Sequence, residues 1–152
     1  MNYWLFKSEP TTYGIDHLAQ DKVTAWTGVR NYQARNYMRD MMSKGDRGFF
    51  YHSSCEVPGI AGIVEIARAA YPDATQFDRK SRYRDAGATP DNPRWFNVDV
   101  KFVKKTRVVG IVELRGHKAL KKMLLLQRGS RLSITPVTQT EWACIFGLLD
   151  KK

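Results

Sequence analysis

Residues 95–109 read as one long strand with two unlike faces. Val98, Val100 and Phe102 fall on one side, Asp99 and Lys101 on the other. Four shorter runs also read as strands: 3–6, 48–52, 60–70 (which follows Pro58 and Gly59) and 131–135, ended by Pro136. Helical spacing is rarer. Residues 15–20 suit a short helix. In 31–43, Ala34, Tyr37, Met38, Met41 and Met42 recur every three or four positions, Arg35 and Arg39 share a face, and Gly45 ends the run. Residues 111–125 suit two short pieces broken near Gly116. Residues 138–149 suit a last helix with Trp142, Ile145, Phe146 and Leu149 on one side. Strands outnumber long helices and show no βαβ rhythm. The expected fold class is therefore α+β, a small and mostly antiparallel β-barrel decorated with short helices.

A chain of 152 residues suits a single domain, 1–152. A hydrophobic fraction of 43% and an aromatic fraction of 12% supply a real core and exclude a disordered polyelectrolyte. No apolar run reaches the roughly 20 residues of a membrane-spanning helix. Lys7, Ser8 and Glu9 interrupt the N-terminal apolar stretch too early for a signal peptide. Two cysteines, Cys55 and Cys144, make no disulfide framework, so a reduced, cytoplasmic protein is expected. Residues 71–93, with Pro72, Gly87, Pro90 and Pro93, form the longest loop; it is either a plain surface crossing or an ordered flap over a site.

Charge narrows the partners. Twenty-five Lys and Arg against fifteen Asp and Glu give a net charge of +10. Between Lys101 and Arg131 ten cations face one acid, Glu113. Such a basic surface gathers polyanions: RNA, DNA or an anionic membrane. Enzyme signatures are missing: the chain has no GxSxG, P-loop, Rossmann glycine pattern or HExxH. His17, His52 and His117 stand apart, and His52 with Cys55 is one pair short of a structural zinc site, so neither metal nor cofactor is expected. Of four tryptophans, Trp4 and Trp142 suit the core. Trp26 lies among polar residues ahead of an Arg-rich helix; it suits either stacking on a base or sealing the barrel end.

The segments YWLFKSEP, WTGVRNYQARNYMR, GDRGFFYHSS, PGIAGIVEI, YPDATQFD, NPRWFNVDV and LSITPV followed by EW occur in the order of the EVE domain family. The resemblance runs from Met1 to about Leu149. It implies a PUA-like barrel, nucleic acid (RNA or DNA) as partner and no membrane. It also implies a pocket at one barrel end for a flipped modified base, above all a methylated or hydroxymethylated cytosine. A short bacterial member acting as a monomer fits that picture. Carried over residue by residue, the base pocket would use Lys7, Ser8, Trp26, Asn31, Tyr51, His52, Ser53, Pro136 and Val137. Several of these have ordinary alternatives: a turn cap for Ser8, a helix N-cap for Asn31, core packing for Tyr51, a strand stop for Pro136 and Val137. Arg30 and Arg35 are the nearest phosphate candidates; Lys104, Lys105, Lys121 and Lys122 extend the basic face. Two other readings stand beside this one: a hydrolase of modified nucleosides using Lys7, Glu9 and Tyr51, and a protein-interaction adaptor.

Overall fold

The computed structural model describes residues 1–128 and 132–150. Six strands form one sheet: β1 (Tyr3–Ser8), β2 (Val23–Ala25), β3 (Arg47–His52), β4 (Gly59–Pro72), β5 (Phe96–Gly110) and β6 (Ile134–Val137), in the order β2-β5-β4-β3-β1-β6. β1 runs parallel to β3, with Ser8 opposite His52; every other pairing is antiparallel. The expected α+β class with a mostly antiparallel sheet and short helices is the observed one.

The sheet is rolled. β4 and β5 pair over most of their length with four register shifts, each adding twist and bend. In a flat sheet, β2 and β1 would lie four strand spacings apart, about 19 Å. Trp26, directly after β2, instead packs edge-to-face on Phe6 of β1 at 5.2 Å and on Phe50 of β3 at 5.8 Å. The roll is thus closed by side chains rather than by a ladder between β2 and β6.

Strand periodicity gives the sheet two cores. Trp4, Phe6, Phe50, Val64, Ile66, Val98 and Val100 point inward against Ile15 and Leu18 of α2 (Ile15–Asp21), Ala34 of α3 (Tyr32–Asn36), Met38 and Met42. Leu5, Phe49, Tyr51, Ile60, Ile63 and Val109 point outward. They are covered by Leu114 of α4 (Ile111–Arg115), by Leu120, Met123 and Leu125, and by Trp142 and Ile145 of α5 (Gln139–Phe146). Trp142 stacks on Phe49 with centroids 4.1 Å apart, and Trp4 is 1% exposed, so both core assignments hold.

Two local expectations need correction, and a third is not tested. The 31–43 helix is split: α3 passes into a wider π-helical turn, Tyr37–Met41, while Ala34, Met38 and Met42 still face inward. Pro136 lies inside β6 instead of ending it; β6 is an edge strand, where a missing N–H is tolerated. The expected strand start, Arg131, lies outside the described residues.

Candidate nucleic-acid interface

β1 and β3 run parallel and finish together. Their ends are clipped by the Ser53 N–H donating to the Ser8 carbonyl at 3.0 Å. At this end a cleft of about 430 Å³ opens. Lys7 and Ser8 of β1, Thr12 and Tyr13 of the one-turn helix α1 (Pro10–Tyr13), Thr24 and Ala25 of β2 and the segment from Trp26 to Arg30 line it, with Tyr83 and Ser133 completing the wall.

Each wall has a local cause. Tyr83 is brought in by the expected 71–93 loop, whose first two residues, Tyr71 and Pro72, prove to be the end of β4 and whose remainder is tied down by hydrogen bonds. Gln76, fully buried, donates to the carbonyls of Asp73 and Trp95 and accepts from the N–H groups of Arg94 and Trp95. Asp73, 0% exposed, accepts from Gly28 N–H, Thr75 N–H, the Thr75 hydroxyl and Arg30. Burial alone would raise the Asp73 carboxyl pKa; the bonds from Thr75, Gly28 and Arg30 outweigh it and hold the group below its ordinary value. Gly28 sits at φ +83, and a Cβ there would stand 2.7 Å from the Tyr83 ring. Gly28→Ala is expected to destabilise by about 1–2 kcal/mol from backbone conformation alone and to displace Tyr83 from the cleft; denaturant unfolding and tyrosine fluorescence check this.

Within the cleft Lys7 is half-buried, and no carboxylate pairs with it among the described residues. Burial lowers its ammonium pKa. Tyr13 donates to Asp21 at 2.8 Å; burial, then that bond, push its phenol pKa up to about 12, so it stays protonated. Trp26 is half-buried beside them. The surroundings are hydroxyls of Ser8, Thr12, Thr24, Thr27 and Ser133, which donate or accept as a ligand requires.

Lys7, Ser8, Trp26 and Arg30 are therefore the sequence candidates that meet in the cleft, and the others lie elsewhere for identifiable reasons. The two-residue period of β3 sends Tyr51 into the outward core, 3% exposed. His52 accepts the Ile15 N–H at 3.1 Å and ties α2 to β3; burial lowers its pKa. Asn31 accepts from Ala34 N–H at 3.0 Å and is the helix cap. Pro136 and Val137 pair with Trp4 and Tyr3, so they sit beside the beginning of β1, about 10–13 Å along the strand from Lys7. There they line a separate small cleft with Met1 and Met41.

The phosphate candidates change as well. All five Arg30 N–H groups are committed: to the Tyr83 carbonyl twice, Val29, Asp73 and Thr75. Arg30 builds the wall and has no N–H left for a phosphate. Arg35 donates to Asn36 and to the Arg94 carbonyl and lies over Tyr32 and Trp95, away from the cleft lining. Lys104 and Lys105 pair with Asp150 and Asp16. The residues of the hydrolase reading do not converge either, since Tyr51 is in the outward core and Glu9 does not line the cleft. Tyr13, Tyr83 and Ser133 were missed; only the flap reading of 71–93 pointed toward one of them.

Among the described residues no group of three His, Cys, Asp or Glu is placed to hold a metal, and no helix is long and apolar enough to cross a membrane.

The chain belongs to the EVE domain family, whose pattern matches residues 2–148 and so spans the rolled sheet and the cleft at the joint end of β1 and β3. Human thymocyte nuclear protein 1 is 44% identical, over 99% of this chain and 75% of that protein. A solved protein from Pseudomonas putida superimposes with a TM-score of 0.92 at 52% identity, covering 96% of this chain and 98% of that one. The crystal structure of the human THYN1 protein in complex with DNA containing 5-methylcytosine superimposes with a TM-score of 0.91 at 44% identity, over 100% of this chain and 99% of that one.

Proposed function

We propose that this protein is a non-catalytic nucleic-acid-binding domain that admits a modified base, a modified cytosine first of all, into the cleft of Lys7, Ser8 and Trp26. The observation carrying this reading is the open cleft itself, which places a half-buried aromatic ring, an ammonium that no carboxylate pairs among the described residues and several hydroxyls around about 430 Å³. A base and its sugar fit such a volume. Trp26 supplies an apolar surface for the ring, Ser8 and its hydroxyl neighbours meet base-edge atoms, and Lys7 meets an acceptor or phosphate oxygen. Swinging a base out of a duplex costs a few kcal/mol, and stacking returns about 1–3 kcal/mol per base. That a relative of 44% identity was crystallised with methylated DNA supports the same ligand class. Both cysteines are free thiols, which suits the cytoplasm.

Fluorescence anisotropy at fixed salt, with oligonucleotides differing at one cytosine, tests it. Burying one extra methyl is worth about 0.8 kcal/mol, so 5-methylcytosine is expected to bind roughly fourfold more tightly than cytosine. Equal affinities would count against base reading. Release of free base from the same oligonucleotides, followed by mass spectrometry, would replace it with the hydrolase reading.

A further inference from the structure

The cations that follow the start of β5 divide into two groups. On β5 itself Lys101 pairs with Glu65, Lys104 with Asp150, Lys105 with Asp16 and Arg107 with Glu113, at 2.7–3.3 Å. Beyond β5, Arg115, Lys118, Lys121, Lys122 and Arg128 are all exposed, and none of them forms an ion pair among the described residues. The sequence explains the contrast. This stretch holds one carboxylate, Glu113, and it turns back to Arg107. Leu114, Leu120, Met123 and Leu125 peg the segment to the outward core, which leaves the intervening cations at the surface. Arg115, His117, Lys118 and Lys121 line a shallow cleft of about 290 Å³ there.

Register places this patch at the same end of the sheet as the base cleft. Gly110, where β5 hands over to α4, pairs with Gly59; Gly59 pairs with His52, and His52 with Ser8. The segment then returns to Ser133, a wall of the base cleft, whose carbonyl accepts the Lys7 N–H at 2.8 Å.

We propose that Arg115, Lys118, Lys121, Lys122 and Arg128 are a second contact, for the sugar–phosphate backbone flanking the nucleotide in the cleft. The assignment deepens the base-reading proposal and rests on it for the position of the strand. The partner follows from charge complementarity: five uncompensated cations on one short segment match a polyanion whose charges repeat every few ångströms. Among the described residues the patch is lined by no Phe, Tyr or Trp, and His117 is its one ring, so charge contact with the backbone outweighs base reading there.

The test compares wild type with R115A/K118A/K121A/K122A by anisotropy between about 50 and about 200 mM salt, using oligonucleotides with and without 5-methylcytosine. Each lost phosphate contact removes roughly 0.7–0.9 from the slope of log affinity against log salt, so a drop of about 3 is expected for both ligands. Circular dichroism confirms the fold; K121E/K122E, at two exposed positions, serves if the quadruple variant unfolds, and is expected to flatten the slope likewise. K104A/K105A, which removes compensated cations, is expected to change it little. An unchanged slope in a folded variant overturns the patch, as does displacement of the oligonucleotide by polyglutamate at equal charge concentration. Loss of the 5-methylcytosine preference with the slope effect intact overturns the cleft reading alone.

Discussion

Asp73→Ala is expected to destabilise the protein by about 3–5 kcal/mol, because it leaves the buried side of Arg30 without its counter-charge. In this size range 1 kcal/mol moves the melting temperature by about 2–4 °C, so calorimetry should show a fall on the order of 10 °C. Asp73 is 0% exposed and holds together Gly28, Arg30 and Thr75, and through Arg30 the Tyr83 carbonyl. The loop and the Trp26–Arg30 wall are therefore joined by the Asp73 carboxylate together with the direct Arg30 bonds to Thr75 and the Tyr83 carbonyl that it helps to hold in place. Its depressed pKa fixes the sign of the pH effect. The stabilisation is full above the unfolded-state carboxylate value of about 3.9 and is lost as pH falls through the lower folded-state value. Wild type should therefore show a steeper acid limb in stability than Asp73→Ala. If the variant melts within about 2 °C of wild type, the carboxylate is not what holds the loop.

Trp26→Ala is expected to weaken oligonucleotide binding roughly 5- to 150-fold, the equivalent of the about 1–3 kcal/mol that a stacked base contributes. The ring also packs on Phe6 and Phe50, and each such aromatic pair is worth about 0.5–1.5 kcal/mol, so stability falls as well. Trp26→Phe separates the two roles. It keeps a flat apolar face for a base and should recover most of the affinity while leaving a smaller gap beside Phe50. Unchanged affinity in a folded Trp26→Ala protein would remove this cleft from the binding surface.

Strand runs, the two-sided 95–109 pattern and the absence of βαβ rhythm made the fold class legible before any coordinates. The site was legible in part. Lys7 and Ser8 came from the resemblance of YWLFKSEP to the EVE family, and Trp26 from its place among polar residues ahead of an Arg-rich helix; the short strand that carries Trp26 to them, β2, left no readable pattern. Tyr51 was misplaced because adjacent residues of β3 face opposite cores, and neither core is marked by polar residues in RGFFYH. Arg30 and Arg35 looked free because a sequence does not show which carbonyls and rings a fold brings to a guanidinium. The ion pairs of Lys104 and Lys105 join residues far apart in the chain and leave no trace in local charge. Tyr83 escaped because a ring in a polar loop has no periodicity.

The position of β1 between β3 and β6 has a consequence for how the chain is made. β1 is synthesised well before β6, so one of its edges stays bare until Ile134–Val137 has been made. A nascent or prematurely terminated polypeptide thus carries an open apolar strand, YWLF, ready to pair with another copy. Ser133, beside Lys7, also follows β5 in the chain, so the cleft is finished only after the whole of β5 has been made.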